Sequence, residues 1–384
     1  MRKIFSLLLC LMLFGPAAAR AIDIEGYLPS EVNARARWID VDGSYTVALE
    51  AQMEADAPRR LVRYDADGGV VYDIVLPDVE GNMPEGGVSK IYRLPDGRDA
   101  LLFLTGIRLS APKWVLLVSE TGDVEEMFPL PAHTADASFF AQGTALLIAQ
   151  KGNGPDATVA SEIAWMDWAG QARFRAEGPE IAYMGLIKAV AEENGRFFFL
   201  LSDTQRAYAV CADESGVIWM RAMTKWQPET ILPDGEGGLY IAAADASLPC
   251  EGALLRLDAQ GEVAFLRTVR CDPGVIVSVM LVRDGGLPAL FGAQTAHSKG
   301  FYRCFQLTFD PAGNAVSLEG RDFTTPLDYS YALRAAGRDA DRGEASVYVH
   351  ANEAVETEEG LLLRSYNIPY GDLKQADDVN VWLE

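Results

Sequence analysis

The chain has 384 residues, 55 acidic and 33 basic, giving a net charge of −22, and 49% of it is apolar. A field of that sign repels nucleic acid and anionic lipid and favours cationic partners, with most of it reading as a solvated acidic surface. No Pro/Gly/Ser linker or charge run divides the chain, so one domain is expected rather than two β-sandwiches.

The first 21 residues read as a secretion signal. Arg2 and Lys3 precede the apolar stretch Ile4 to Phe14, and Ala19-Arg20-Ala21 forms an A-x-A cleavage site. Leu7-Leu8-Leu9-Cys10 faintly resembles a lipoprotein box, but Cys10 has Leu11 to Phe14 behind it, so anchoring there is not expected. The apolar core is too short to span a bilayer. Cleavage removes three basic residues and leaves a mature chain, residues 22–384, of net charge −25. The expected location is secreted or extracytoplasmic.

Beyond the leader, one phrase recurs six times: an apolar run, an acidic residue, a glycine about three residues on, and a second apolar-rich run. The acidic residues are Asp65, Glu120, Asp167, Asp213, Asp258 and Asp310, at steps of 55, 47, 46, 45 and 52. Each copy reads as a β-hairpin, and a period in this range marks a repeat architecture with one small sheet per repeat. A second series of hairpins interleaves with the first, turning near Gly43, Gly97, Gly143, Gly195, Gly235, Gly285 and Gly337. Inner and outer hairpins together make a four-stranded blade. The mature 363 residues divided by seven give about 52 per blade, so the prediction is an all-β, seven-bladed β-propeller. The last outer hairpin has one obvious strand, Leu361 to Tyr366. Its partner is expected from a terminus, either Ile22 to Tyr27 or Val379 to Leu383, because such sharing leaves no long edge open.

The phrase Ala207 to Trp219, with Asp213, Gly216 and Trp219, resembles the repeat of pyrroloquinoline-quinone propellers. That resemblance implies that the tryptophan docks neighbouring blades, with Tyr72, Phe174 and Phe265 taking its place in other copies. It implies shape alone: no quinone-binding or calcium-binding motif accompanies it, and adjacent cysteines are absent.

Motifs for chemistry are few. Close acidic pairs (Asp40/Asp42, Asp65/Asp67, Asp339/Asp341) lack the full ligand ladder of a calcium loop and read as turn chemistry. The histidines, His133, His297 and His350, read as isolated surface residues, and no metal site or cofactor is expected. No nucleophile elbow, zinc-binding helix or phosphate loop occurs; paired carboxylates of a glycosidase are neither supported nor excluded. Four cysteines remain in the mature chain. Cys250 and Cys271 sum to 521 against 519 for the turn pair Asp258/Gly261, which places them nearly opposite and predicts a disulfide; Cys211 and Cys304 read as buried small hydrophobes.

The functional expectation is a monomeric, non-enzymatic binding or scaffold propeller presenting loops to a protein, peptide or glycan. The alternative is an extracytoplasmic hydrolase, lyase or quinoprotein-like oxidoreductase with its site at the central channel. Loops joining blades and loops joining inner to outer hairpins emerge on one face. There the stretches Lys151 to Ser161, Gly178 to Leu186, Met223 to Thr230 and Gln294 to Gly300 exceed a bare turn. They nominate Tyr183, Trp226, His297 and Lys299 as ligand-binding residues, with Trp226 as anchor.

Overall fold

The computed structural model describes residues 34–383 except 40–43, 50–58, 81–85, 107–110, 150–157, 183–184, 204–205, 246–247, 249, 272–275, 297–300, 325–331, 340–343, 358–359 and 377–380. The leader therefore lies outside the described residues. Within them the chain is all-β, built of seven antiparallel sheets.

Sheet I comprises Ala34–Ile39, Tyr45–Leu49, Arg60–Tyr64 and Val70–Val75, and sheet II Gly87–Arg93, Asp99–Leu104, Lys113–Val118 and Val124–Pro129. Sheet III holds Thr134–Phe140, Gly143–Ala149, Ser161–Asp167 and Ala172–Glu177; sheet IV holds Leu186–Glu193, Arg196–Ser202, Ala207–Asp213 and Gly216–Met223. Sheet V runs Trp226–Pro233, Leu239–Asp245, Glu251–Leu257 and Val263–Cys271, and sheet VI Ile276–Asp284, Leu287–Ala296, Phe301–Phe309 and Ala315–Thr324. Sheet VII has three strands, Ala332–Asp339, Glu344–Thr357 and Gly360–Pro369. The first strand of each sheet contacts the first strand of the next, and Ala332–Asp339 returns to Ala34–Ile39. Sheets arranged radially in this closed order make a β-propeller.

Local chemistry explains the repeat. At the outer turns of sheets I–VI an Asp or Ser side chain accepts from amides two or four residues on. Asp258 Oδ1 takes Gln260 N and Glu262 N, both at 2.9 Å, and Asp65 Oδ1 takes Asp67 N at 3.0 Å and Gly69 N at 2.6 Å. These are Asx turns, so Asp65 serves the chemistry of its own turn. In the second copy the role falls to Ser119, whose Oγ accepts from Thr121 N and Asp123 N, and not to Glu120. The glycine that follows has positive φ, and the ladder slips by one residue beside all six turns, a bulge closing each hairpin, with a two-residue loop in sheet IV where Asp213 pairs with Gly216. The seventh inner turn departs from expectation. Gly337 lies within a strand at a register shift, and the turn falls between Asp339 and Glu344.

The core lies between sheets. Second and third strands are buried on both faces, as in Asp99–Leu104 and Ala207–Asp213, which is why they read as unbroken apolar runs. The outer strands Val70–Val75 and Ala172–Glu177 each bury one residue, Tyr72 and Phe174. These aromatics dock blades as the resemblance implied. A Cβ built on Gly122 would lie 2.9 Å from Tyr72, one on Gly261 2.7 Å from Trp219 and one on Gly313 2.9 Å from Phe265, so each glycine turn seats the ring of the preceding sheet. Arginines two residues beyond two of these rings close the clamp. Arg221 Nη1 donates to Gly261 O at 2.9 Å, and Arg267 Nε to Gly313 O at 2.7 Å. Phe174 instead packs on Phe197 and Phe199 of sheet IV.

Two expectations about long-range pairing are corrected. Val381–Leu383 does not complete sheet VII but pairs with Val269–Cys271 at the outer edge of sheet V, while Lys374–Ala376 pairs with the outer edge of sheet VI. The C-terminal tail thus covers two exposed edges instead of filling the short sheet. The other candidate partner, Ile22 to Tyr27, lies outside the described residues. Deleting residues 22–29 is expected to lower the melting temperature by about 2–4 °C per kcal/mol of edge pairing lost. A calorimetric scan that shows no shift would remove this segment from the ring.

The second correction is the disulfide. Glu251 opposes Arg270, so the backbone register does set positions 250 and 271 across from each other, yet Cys250 is a half-buried free thiol. It sits one residue before the strand, in a turn closed by Glu251 N donating to Leu248 O, while the backbone of Cys271 is paired with Val381. Cys211 and Cys304 are buried as expected, and burial pushes the Cys211 thiol up to about 12.

Candidate ligand-binding face

Inner strands begin, and second strands end, at the blade-joining end of the ring, and charged side chains gather there against the apolar run of the strands. Lys90 of sheet II directs its Nζ to Asp136 of sheet III, at 3.1 and 3.2 Å from the two carboxylate oxygens, and to Ala137 O at 2.5 Å. Asp136 Oδ2 in turn accepts from Ile187 N of sheet IV at 2.9 Å. One lysine and one carboxylate therefore tie three successive inner strands. Lys113 lies behind them, donating to Thr134 O at 2.7 Å. Burial pulls its ammonium below the usual lysine range, Asp136 opposes that pull and Lys90 adds to it.

A second cluster surrounds Trp226. Asp245 closes the second strand of sheet V and Glu251 opens the third, and their side chains are 1% and 3% exposed. Lys225 Nζ reaches both, at 3.2 and 3.7 Å, and Arg270 Nε donates to Glu251 Oε1 at 2.8 Å. Two buried carboxylates are thus matched by two cations. The Lys225 ammonium also stands 4.4 Å from the centroid of the Trp226 ring, a cation–π geometry. Trp226 is half-buried: one side rests on the cluster of sheets IV and V built from Trp219, Met223, Ile231 and Ile241.

Of the four predicted ligand residues, Trp226 alone can be placed; Tyr183, His297 and Lys299 lie outside the described residues. Their flanks reach the same end, since Ala182 N donates to Asp203 Oδ2 at 2.7 Å and Ala296 ends a second strand. His133 is exposed there with φ 65, and its carbonyl accepts from Ala149 N. The side chain of His350 lies outside the described residues. Among the described residues no group of three or more His, Cys, Asp or Glu side chains is placed to hold a metal ion. Sequence reasoning missed Lys90, Asp136, Asp245 and Glu251. The available signal was a charge interrupting an inner-strand apolar run, as at Ser89-Lys90 and Asp136.

At the hairpin-tip end a buried polar network joins sheets I and II. Asp99, fully buried, accepts from Arg93 Nε at 2.6 Å, Tyr72 Oη at 2.5 Å and Thr46 Oγ1 at 3.3 Å. Burial, then the charge of Asp99 and its hydrogen bond, raise the Tyr72 phenol well above the usual tyrosine range. The folded state therefore holds this proton more tightly than the unfolded chain. Its stabilising share is complete below about pH 10 and declines as the pH rises above it. Urea midpoints between about pH 8 and 11 should fall less steeply for Tyr72→Phe than for the parent; equal slopes would refute the assignment.

No family model matches the chain, and no curated protein matches it. Among solved structures it is similar to a mutant of the Synechocystis apocarotenoid oxygenase, at 14% identity and TM-score 0.42, covering 82% of this chain and 76% of that one. It is similar to the Dos1 propeller at 8% identity and TM-score 0.47, covering 90% and 97%, and to a prolyl endopeptidase at 12% identity and TM-score 0.48, covering 93% and 48%. The fold assignment rests on the sheet order and the ring of inner-strand contacts described above. Among the described residues no helix is long and apolar enough to cross a membrane.

Proposed function

We propose that the chain is a non-catalytic binding or scaffold propeller that works outside the cytoplasm and engages a protein, peptide or glycan at its blade-joining face. The observation that carries this reading is the ion pairing of the buried charges there. Asp136 and Lys90 hold each other and bind backbone groups of neighbouring sheets, and Asp245 and Glu251 are matched by Lys225 and Arg270. Groups committed to holding sheets together are poor general acids or bases, which need a proton in play with substrate. Trp226 supplies the other half. It is a rigid, half-exposed aromatic beside a cation, the composition of a recognition anchor. The leader-like residues 1–21 support an extracytoplasmic site, and the PQQ-like repeat supports shape without a quinone.

The test uses fluorescently labelled mature chain on peptide and glycan arrays, with the best hits titrated against Trp226→Ala. Truncating such an anchor is expected to weaken binding by about 30-fold or more, the equivalent of about 2 kcal/mol, with little change in melting curve. Undiminished binding by the variant, or its unfolding, would assign Trp226 to the core of sheets IV and V.

A further inference from the structure

The outer strand of sheet V, Val263–Cys271, is nine residues long, and the C-terminal strand Val381–Leu383 pairs with only the last three of them. The pairing is antiparallel, Val269 with Leu383 and Cys271 with Val381, so a strand running on past Leu383 would head towards Val263. Among the described residues no strand pairs with Val263 to Thr268 on that side, and Val263 and Leu266 are exposed there. An open edge offers backbone donors and acceptors whatever its sequence, and natural sheets guard it with charge or proline. Sheet II does so with Glu125, Glu126 and Pro129, and sheet III with Arg173 and Arg175, which pair with Asp167 and Glu162. Sheet V differs, because the chain itself already adds a strand to its edge.

The seated strand shows what fits. Residues opposite one another in an antiparallel pair share a face of the sheet. Val269 and Phe265 belong to the buried apolar cluster between sheets V and VI, and Val381 packs on the same cluster, so alternate side chains of an added strand lie over apolar surface. Charge matters too. The edge strand carries Arg267 and Arg270 and no acidic residue, whereas residues 374–384 carry Asp377, Asp378 and Glu384 against one lysine. The Arg267 guanidinium meets the carbonyls of Gly313 and Leu266, at 2.7 and 3.3 Å, and the Phe265 ring at 5.3 Å, but no carboxylate among the described residues. The two halves of the tail are held unequally. At sheet VI Tyr370 and Leu373 are buried, the Tyr370 ring stands edge-on to Phe291 at 5.0 Å, and Leu373 O accepts from Arg321 Nη1 at 3.3 Å. At sheet V, Val381 is half-buried and Leu383 is 40% exposed, so that strand rests chiefly on the backbone pairing of three residues.

We propose that the outer edge of sheet V docks an extended segment of a partner protein, acidic and apolar at alternate positions, which adds as an antiparallel strand in place of Val381–Leu383 and pairs onward to Phe265. Pairing over more of the edge offsets the loss of the short tail strand. Arg270 Nε is held by Glu251 Oε1 within sheet V, so the edge keeps its shape when the tail strand leaves and the partner meets a preformed template. The site is on the outer strand of the sheet whereas Trp226 opens the inner one, so the two readings are tested separately.

Fluorescence polarisation with a labelled peptide tests the proposal. The probe has the sequence of residues 377–384 lengthened by Glu-Val-Val, which would stand opposite Arg267, Leu266 and Phe265. A control peptide has proline at two adjacent positions, one of which must face the edge because strand donors alternate between sides. Saturable binding to residues 22–384 is expected, about tenfold tighter for Val381→Asp, whose own strand competes less, and about tenfold weaker for Arg267→Glu, which sets an anion against the peptide's acid. Leu383→Asp, at an exposed side chain, replaces Val381→Asp if that variant melts early. Hydrogen exchange should show added protection in Val263 to Thr268 when the peptide is bound. No saturable binding, equal binding of the proline control, equal affinity for the parent and the tail variant, protection gained elsewhere, or an Arg267→Glu variant that melts normally and binds like the parent would overturn the proposal.

Discussion

Replacing Asp99 by alanine is expected to destabilise the protein by about 3–5 kcal/mol, because it removes the buried carboxylate on which a buried guanidinium, a phenol and a hydroxyl converge. Asp99 is fully buried and gathers Arg93 of its own sheet with Tyr72 and Thr46 of sheet I, and Arg93 Nη2 also donates to Thr46 Oγ1 at 2.6 Å. The substitution therefore strands donors on both sides of a sheet boundary. Breaking a buried pair is far costlier than losing an exposed one. Arg60–Asp73, whose side chains are 45% and 38% exposed, provides the comparison. Asp73→Ala should cost no more than about 1 kcal/mol. Urea denaturation of both variants decides the matter: comparable losses would mean that the Asp99 network contributes no more than a surface pair. Asp99→Asn should fall between the two, since it keeps one acceptor but no charge.

The second large effect concerns blade docking. Gly261→Ala is expected to cost about 2–4 kcal/mol, combining the strain of a non-glycine residue at positive φ with overpacking against a ring. Gly261 has φ +79, and an added Cβ would meet the six-membered and five-membered ring atoms of Trp219 at 2.7–3.0 Å. Gly235 separates the two contributions, since its φ is +84 with no atom within 4 Å of the built Cβ. Gly235→Ala should therefore show only the backbone part, about 1 kcal/mol. Trp219 is itself seated on Phe198 and held near Gly261 by Arg221, so it has little freedom to retreat. Equal losses at the two glycines would show that Trp219 yields and does not dock the blades.

The physical features legible in the sequence were those written in short segments. An Asp or Ser that caps its own turn, a glycine three residues later at positive φ and apolar runs on either side are local, so each hairpin declared itself and the period declared the ring. The turn alone placed the register of this hairpin within two positions, and the bulge beside Arg256 and Leu257 sets Glu251 against Arg270. A correct register, however, did not make a disulfide, because Cys250 stands in the turn outside its strand.

Tertiary structure alone decided what joins segments remote in sequence. Nothing local in Val381–Leu383 distinguishes the edge of sheet V from that of sheet VII, since any open strand edge offers the same backbone donors and acceptors. Lys90 meets Asp136 across 46 positions, and Asp136 meets the amide of Ile187 across 51. In a chain with 55 acidic residues no pattern singles out that carboxylate. Turn chemistry is carried by neighbours along the chain, whereas charge pairing and edge pairing depend on how closed sheets bring distant segments together.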